Sequence, residues 1–179
     1  MSTPKQNHAH FRVACSKFPT GVTVTTVCGT DSMPRGITVS SFTSVSLDPQ
    51  LVLICIDYRS RMLKHLTLDK YFGINILSAL QRDLSSKFAR NWDDRFKDVL
   101  WYPGETGVPL LFDVCASFEC KAVEALAAGD HTVVIGRVLH INTSERVPLA
   151  YVNSGFTTLP INQPEPGIYG DLQEERKNA

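Results

Sequence analysis

Residues 36–49 read GITVSSFTSVSLDP, a hydroxyl-rich stretch that ends in an Asp-Pro turn. Four apolar side chains alternate as in a β-strand: Ile37, Val39, Val45 and Leu47. Ser41 and Thr43 interrupt the alternation. A hydroxyl buried in a sheet needs a hydrogen-bond partner. Either a polar, planar ligand lies across this strand, or the hydroxyls form a solvated outer face, and the segment alone slightly favours the solvated face.

Further strands are predicted on both sides of this stretch by alternating or continuous apolar residues bounded by turn signals. Upstream, Gly21–Cys28 is predicted to be half-buried. Downstream, the predicted strands are Leu51–Ile56, Tyr71–Leu77, Ala116–Val123 and His131–Ile141. Most are joined by short turns, which is typical of an antiparallel arrangement.

Helices are predicted singly, at His8–Phe18, Arg61–Leu68 and Leu80–Arg90. Ser60 stands at the N-cap of the second helix, and the third is amphipathic. Residues 91–107 are predicted to form a loop. Because helices do not follow every strand, we expect a mainly β fold with helical additions, an antiparallel barrel rather than a doubly wound parallel sheet.

Composition indicates one globular domain. The chain has 179 residues, 43% of them hydrophobic, with 18 basic and 18 acidic side chains. We expect a domain at residues 1–159 and a polar tail at 160–179. Balanced charge does not favour nucleic acid, and no apolar run is long enough to cross a membrane. Five scattered cysteines and a polar N-terminus predict a cytoplasmic protein.

Ser60 lies between Arg59 and Arg61, directly after a predicted buried strand. Backbone N–H groups at the start of a helix, one hydroxyl and two guanidinium groups would together make a phosphate-binding site. A plain N-cap with two solvated arginines is the alternative. On this evidence alone, the plain N-cap is favoured.

Three other side chains are candidates for binding. Asn75 projects opposite to Ile74 and Ile76, where its amide could meet a ligand or satisfy neighbouring backbone. Lys87 could reach a bound phosphate or remain solvated. His131 follows Gly129-Asp130 at the rim of the predicted barrel, where it could bind a substrate amide or be an exposed turn residue.

Several catalytic motifs are absent from the sequence. Without a Walker A loop or GxGxxG, a Rossmann-type nucleotide site has no support. Without HExxH or GxSxG, neither a metal site nor a serine hydrolase is indicated. The remaining hydroxyls, cations and amide suit a phosphorylated cofactor better than hydrolysis.

Six short motifs follow one another along the chain: FPTGV at 18–22, GITVSSF at 36–42, FGINIL at 72–77, GVPLL at 107–111, FEC at 118–120 and GDH at 129–131. In their order and spacing, the chain resembles the flavin reductase family, whose fold is an antiparallel Greek-key split β-barrel of the FMN-binding type. The resemblance runs from Phe11 to about Phe156.

The resemblance implies a set of cofactor-binding residues. Along the flavin ring and its phosphate they are Pro34, Gly36, Thr38, Ser40, Ser41, Asp57, Ser60, Arg61, Asn75, Lys87 and Phe88. On the open side of the flavin, His131 would be the catalytic residue, and Ser154 and Phe156 would face the nicotinamide. No metal is implied.

The implied activity is NAD(P)H:flavin oxidoreduction, with hydride passing from the nicotinamide to FMN or FAD. Reduced flavin would then go to a partner monooxygenase, and the reductase would be a homodimer. NADH is expected over NADPH because no basic cluster for a 2′-phosphate is evident. The alternatives are a non-catalytic flavin-binding split barrel and a pyridoxamine-phosphate-oxidase-like enzyme.

Overall fold

A computed structural model describes residues 4–90 and 94–159. Within these ranges the helices are α1 (Pro4–Ser16) and α2 (Arg82–Ala89), with 3-10 turns at Leu63–His65 and Ala79–Gln81. The strands are β1 (Thr20–Gly21), β2 (Thr23–Cys28), β3 (Pro34–Val39), β4 (Thr43–Leu47), β5 (Gln50–Asp57), β6 (Tyr71–Ile76), β7 (Trp101–Pro103), β8 (Pro109–Leu111), β9 (Ala116–Ala128), β10 (His131–Thr143), β11 (Leu149–Val152) and β12 (Gly155–Thr158).

Seven strands form one sheet in the order β3-β2-β6-β9-β10-β5-β4, and every pair is antiparallel. Although β3 and β4 are consecutive in the chain, they lie at opposite edges, and β3 contacts β5. Curling brings the two edges together and leaves few edge groups unpaired. The predicted mainly β, antiparallel barrel is confirmed.

Ser41 stabilises the seam, which is the line along which the two edges of the sheet meet. Its hydroxyl donates to the Cys55 carbonyl, 3.2 Å away, and accepts from the Cys55 amide at 2.8 Å. Cys55 lies beyond Leu53, where the pairing of β4 with β5 ends. A side chain thus takes the place of the missing strand neighbour.

The barrel interior is filled by one cluster of apolar side chains, which includes Val27, Ile54, Phe72, Ile74 and Val134. A second cluster packs α2 against the outside of the barrel through Phe88, Leu111 and Leu149. Burial of these side chains supplies most of the driving force for folding. Together the clusters hold β3, β5 and α2 in fixed relative positions.

Several predicted elements differ in detail. The hydroxyl-rich stretch is two strands, because the chain turns across the seam at residues 40–42. Thr23 to Val27 are all buried, so β2 is not half-buried: the barrel covers one face and the second cluster covers the other. The long hairpin of β9 and β10 has thirteen residues in each strand, more than predicted.

The second and third predicted helices are shorter than their sequence patterns, whereas α1 spans Pro4–Ser16 in place of the predicted His8–Phe18. Residues 61–68 contain only the 3-10 turn, and α2 begins at Arg82 after a 3-10 turn. Leu80, the first residue of the predicted amphipathic helix, lies in this 3-10 turn and is 89% exposed. The predicted 91–107 loop contains β7, and the predicted 160–179 tail lies outside the described residues. Within the described residues, no helix is long and apolar enough to span a bilayer.

Candidate functional site

A cleft of about 660 Å³ opens where β3 begins and β5 ends. Its walls are the start of β3, the segment that follows β5, and residues near the end of α2. The lining residues are Pro34, Arg35, Gly36, Ile37, Asp57, Arg59, Ser60, Arg61, Met62, Lys64, Ala89, Arg95 and Phe96. Elements far apart in sequence therefore share one cavity.

The cleft is cationic. Its lining residues include the side chains of Arg35, Arg59, Arg61, Lys64 and Arg95, against the single carboxylate of Asp57. Arg59 pairs with Asp57 at 2.6 Å, and this hydrogen-bonded contact lowers the pKa of Asp57. The remaining excess of positive charge favours an anionic ligand.

Ser60 sits in the turn that leaves β5. Its amide donates to the Asp57 carbonyl at 2.9 Å, and its own carbonyl accepts from Leu63 at 3.1 Å. Its hydroxyl accepts from the Met62 amide at 3.2 Å. The N-cap residue of the following 3-10 turn is Met62, so the prediction of Ser60 as the N-cap is wrong, although its hydroxyl bonds within the preceding turn. The Ser60 hydroxyl proton remains available to a ligand in the cleft.

Arg95 closes the cleft from the segment that follows α2. Its Nη1 donates to the Gly36 carbonyl at 2.6 Å. Its Nε is buried and has no hydrogen-bond partner among the described residues. Burial, together with the charge of Arg61, lowers the pKa of Arg95. A guanidinium held in this way is well placed to meet an anion.

Gly36 permits this arrangement because it has no side chain. A Cβ at that position would lie 2.6 Å from the Phe88 ring and 3.3 Å from the Phe96 ring. The two rings meet edge to face, with centroids 5.1 Å apart. The floor of the cleft is thus formed by β3 backbone resting on aromatic rings.

Of the predicted site residues, the structure brings five together in the cleft: Pro34, Gly36, Asp57, Ser60 and Arg61. Sequence reasoning gave no flavin-binding role to Arg35, Lys64 and Arg95. The basic residues near Ser60 could have been found from their proximity in sequence. Arg95 lies 59 residues from Gly36, and no local pattern connects the two.

Asn75 and Phe88 lie behind the cleft with no exposed surface. The Asn75 amide donates to the Val24 carbonyl at 3.0 Å and accepts from the Leu111 amide at 2.8 Å. This matches the alternative in which Asn75 satisfies neighbouring backbone. As placed here, both residues support the site from within and do not reach a ligand.

Four other predicted residues lie outside the cleft lining. Thr38 donates to the Ser85 carbonyl at 2.7 Å, Lys87 to the Lys97 carbonyl, and Ser41 to Cys55 across the seam. Ser40 is exposed beside Ser41. Thr38 and Ser41 therefore bond to the fold itself. Ser40, Thr43 and Ser44 are exposed, as the solvated-face alternative for the hydroxyl-rich stretch predicted.

His131 stands on β10 directly opposite Asp57 on β5, one strand away from the cleft lining. Its Nδ1 lies 2.7 Å from Asp130 Oδ1, which leaves Nε2 directed elsewhere. This hydrogen bond lowers the pKa of Asp130. His131 therefore borders the cleft on the same edge of the barrel.

Ser154 and Phe156 occupy the β11–β12 hairpin and do not line the cleft. Ser154 is exposed in the turn. The Phe156 ring packs edge-on against Tyr151 at 5.2 Å, and the Arg82 guanidinium lies 5.4 Å from its centroid. Within one copy of the chain, these residues and the cleft are separate.

The family described as "Flavin reductase like domain" matches residues 15–160. The chain belongs to this flavin reductase family. A probable flavin reductase of Rhizobium meliloti is 44% identical over 147 residues, which are 82% of this chain and 47% of that protein. The reductase component of the flavin-dependent trigonelline monooxygenase of Acinetobacter baylyi is 40% identical, with the same coverage of 82% and 47%.

Among solved structures, this member of the flavin reductase family is similar to the NADH:FAD oxidoreductase of Streptomyces globisporus C-1027. The two are 34% identical and superpose with a TM-score of 0.81 over 93% of this chain and 99% of that one. The chain spans about half the length, 47%, of the two relatives from Rhizobium and Acinetobacter. The similarity supports the split-barrel fold across nearly all of the described residues.

Proposed function

We propose that this protein is an NADH-dependent flavin reductase that supplies reduced flavin to a separate monooxygenase. The observation that carries the proposal is the cationic cleft around Ser60, in a chain of the flavin reductase family. The relatives named as flavin reductases, and one named as a monooxygenase reductase component, support the assignment of activity and partner.

The cleft fits a flavin nucleotide in size and in chemistry. Its volume of about 660 Å³ lies within the roughly 300–1,000 Å³ usual for small-molecule sites. Ser60, Arg61 and Lys64 supply a hydroxyl and two cations for a phosphate, and Arg95 has a buried Nε without a partner among the described residues. Ile37, Met62 and Phe96 add apolar surface for a ring system.

A bound flavin supplies the redox chemistry itself, because it accepts hydride from a reduced nicotinamide. The protein has to hold the two rings in contact and exclude competing orientations. We assign Ser60 and Arg61 to the phosphate, with Asp57 fixing Arg59 at the rim. We assign His131 to the nicotinamide side, since Asp130 orients its ring and leaves Nε2 for a substrate atom.

We also propose that the active form is a homodimer. Val123, Leu126, Leu139 and Ile141 on the long β9–β10 hairpin are each at least 40% exposed. Exposed apolar side chains on a sheet are typical of an interface with a second copy. Ser154 and Phe156 are remote from the cleft in one chain, so their predicted role at the nicotinamide requires a partner copy.

The test is steady-state oxidation of NADH and of NADPH by the purified protein with FMN, FAD and riboflavin in turn. We expect rapid oxidation of NADH once free flavin is added, and slower oxidation of NADPH. Co-purified flavin without turnover would support a binding module instead. Oxidation of pyridoxamine phosphate would support the pyridoxamine-phosphate-oxidase-like alternative, and either result would overturn the proposal.

A further inference from the structure

Helix α1 (Pro4–Ser16) is not covered by its own chain. Every side chain from Asn7 to Cys15 is exposed, and Ser16 is only partly buried. A helix of 13 residues is marginally stable in water, and helices of this length gain most of their stability by packing an amphipathic face against other elements. α1 therefore needs a surface outside its own chain.

Four apolar side chains on and just after α1 have the i, i+3, i+4, i+7 spacing of one helix face. They are Phe11, Ala14, Cys15 and Phe18, and they are called the α1 stripe below. Phe18 lies beyond the end of α1, but its amide donates to the Cys15 carbonyl at 3.1 Å and so continues the turn. The two phenylalanines are 71% and 74% exposed, so the stripe offers an apolar surface for docking.

Residues 123–128 form the β9 tip, where the long hairpin runs past the neighbouring strand. β6 pairs with β9 only between Ala116 and Lys121, so the outer edge of the tip has no strand neighbour among the described residues. All six residues of the tip are exposed, and all except Glu124 are apolar. Proteins usually cover such an edge, because its free backbone groups and apolar side chains favour association. The β9 tip therefore also needs a cover.

The α1 stripe and the β9 tip complement each other in length and in charge. A 13-residue helix and a six-residue strand segment each span about 20 Å. The N-terminal segment is basic, with Arg12 and Lys17 and no acidic residue before Asp31, whereas the tip carries the carboxylate of Glu124. Since both surfaces are exposed in one copy of the chain, they do not cover each other within that copy.

Hydrogen bonds hold the end of α1 to the β11–β12 turn. The Asn153 amide donates to the Ser16 carbonyl at 2.7 Å, and Lys17 Nζ donates to Asn153 Oδ1 at 2.8 Å. The β9 tip ends at Ala128, which pairs with His131 beside the cleft. A helix packed along the tip would therefore bring the β11–β12 turn toward the His131 side of the cleft.

We propose that α1 of one copy packs its stripe along the β9 tip of a second copy, and that the second copy makes the same contact in return. The inference rests on the homodimer of the proposed function and deepens it, because it names the two surfaces that meet and adds the partner's β11–β12 turn to each site. A two-fold exchange of this kind is closed, so it gives dimers and not fibres. Each chain then has both of its exposed surfaces covered.

The experiment uses two double variants of the full chain. Phe11→Asp/Phe18→Asp places two charges on the α1 stripe, and Val123→Lys/Leu126→Lys places two on the β9 tip. Leu80→Asp is the control, because Leu80 is 89% exposed and lies in neither surface. Sedimentation measures the dissociation constant of the dimer. We expect each double variant to raise this constant about a hundredfold or more, because the contact would bury charges, and the control to match wild type.

Mixing the two double variants tests whether the stripe meets the tip. In a dimer of either variant with itself, both contacts carry the substitutions. A mixed dimer has one wild-type contact and one in which Asp faces Lys, so the mixture should dimerise at concentrations where neither variant does alone. Native mass spectrometry with one variant isotopically labelled identifies the mixed dimer. If stripe packed on stripe and tip on tip, the mixed dimer would contain no wild-type contact and would not be recovered.

Three results would overturn the inference: a monomeric wild type, a stripe variant that dimerises as tightly as wild type, or a mixture that stays monomeric although both variants unfold cooperatively in urea. If a charged variant does not unfold cooperatively, Phe11→Ser/Phe18→Ser and Val123→Ser/Leu126→Ser replace the pair in the same mixing experiment. These outcomes are separate from failure of the proposed reductase activity, which would appear as no NADH oxidation by wild type with any flavin.

Discussion

The hydroxyl of Ser60 accepts a hydrogen bond from the Met62 amide and keeps its own proton to donate. One side chain can therefore bond within the turn after β5 and bind a ligand oxygen in the cleft. The adjacent Arg61 lines the same cleft and adds charge. Substitution of Ser60 and Arg61 is therefore the most direct test of the proposed phosphate-binding site.

We predict that the double variant Ser60→Ala/Arg61→Ala binds FMN about tenfold or more weakly, because it loses charge-assisted contacts with phosphate. Riboflavin has no phosphate, so its affinity should stay nearly constant. Isothermal titration with each flavin measures both affinities. Equal losses for FMN and riboflavin would show that the substitutions act on the shape of the cleft and not on phosphate binding.

A single side chain, Ser41, helps to close the barrel at the seam where the two edges of the sheet meet. Ser41 bonds both backbone groups of Cys55, at 3.2 and 2.8 Å, and no strand replaces it there. We predict that Ser41→Ala lowers the free energy of unfolding by about 1–2 kcal/mol, since two partly buried backbone groups lose their partner. Urea unfolding measures the loss.

Ser40→Ala is the matched control for the seam, because Ser40 is the exposed neighbour of Ser41. It should change stability by less than about 0.5 kcal/mol. If both variants were equally stable, the role assigned to the Ser41 hydroxyl in closing the barrel would be wrong.

At the scale of elements, Glu119 on β9 fixes the turn between β7 and β8. Burial raises the pKa of its carboxyl, but hydrogen bonds from Thr106 and Glu105 outweigh burial, and the net pKa lies below the ordinary 4.5. A depressed pKa in the folded state means that the carboxylate stabilises the fold above about pH 4.5. That stabilisation is lost as the pH falls through the lowered pKa.

We predict that Glu119→Gln lowers the free energy of unfolding by about 2 kcal/mol at neutral pH, because three donors lose a charged acceptor. The difference in this free energy between wild type and variant should narrow as the pH falls below 4.5. Urea unfolding of both proteins at a series of pH values, from neutral to below 4.5, measures the difference. A difference that stays constant with pH would contradict the assignment to the Glu119 carboxylate.

For the whole molecule, the long β9–β10 hairpin presents more apolar surface than one copy of the chain covers. We predict that light scattering after size exclusion gives twice the chain mass of 19.9 kDa. Leu126→Lys combined with Leu139→Lys should shift the protein toward monomer, because two buried charges would oppose association.

Leu100→Lys is the control for the dimer, since Leu100 is 76% exposed but lies outside the hairpin. It should remain dimeric. A wild-type protein that elutes as a monomer at all concentrations would contradict the proposed dimer, and with it the predicted role of Phe156 at the nicotinamide.

The sequence by itself determined the order and type of most elements. Alternation of apolar and polar residues predicted β6 and β10, and the continuous apolar run Leu51–Ile56 predicted the buried strand β5. Ser60 and its neighbouring arginines could likewise be recognised, because the whole motif lies within three consecutive residues after one strand. Strands and short motifs of this kind can be recognised from sequence because residues that are neighbours in the chain specify them.

Only the tertiary structure decided which side chains meet. Arg95 reaches the carbonyl of Gly36 across 59 residues, and Ser41 meets Cys55 because the sheet curls until its edges touch. Burial of Asn75 and Phe88 likewise depends on which layers cover them. Sheet curvature and core packing set these distances, and both are sums over many distant contacts that no short stretch of sequence contains.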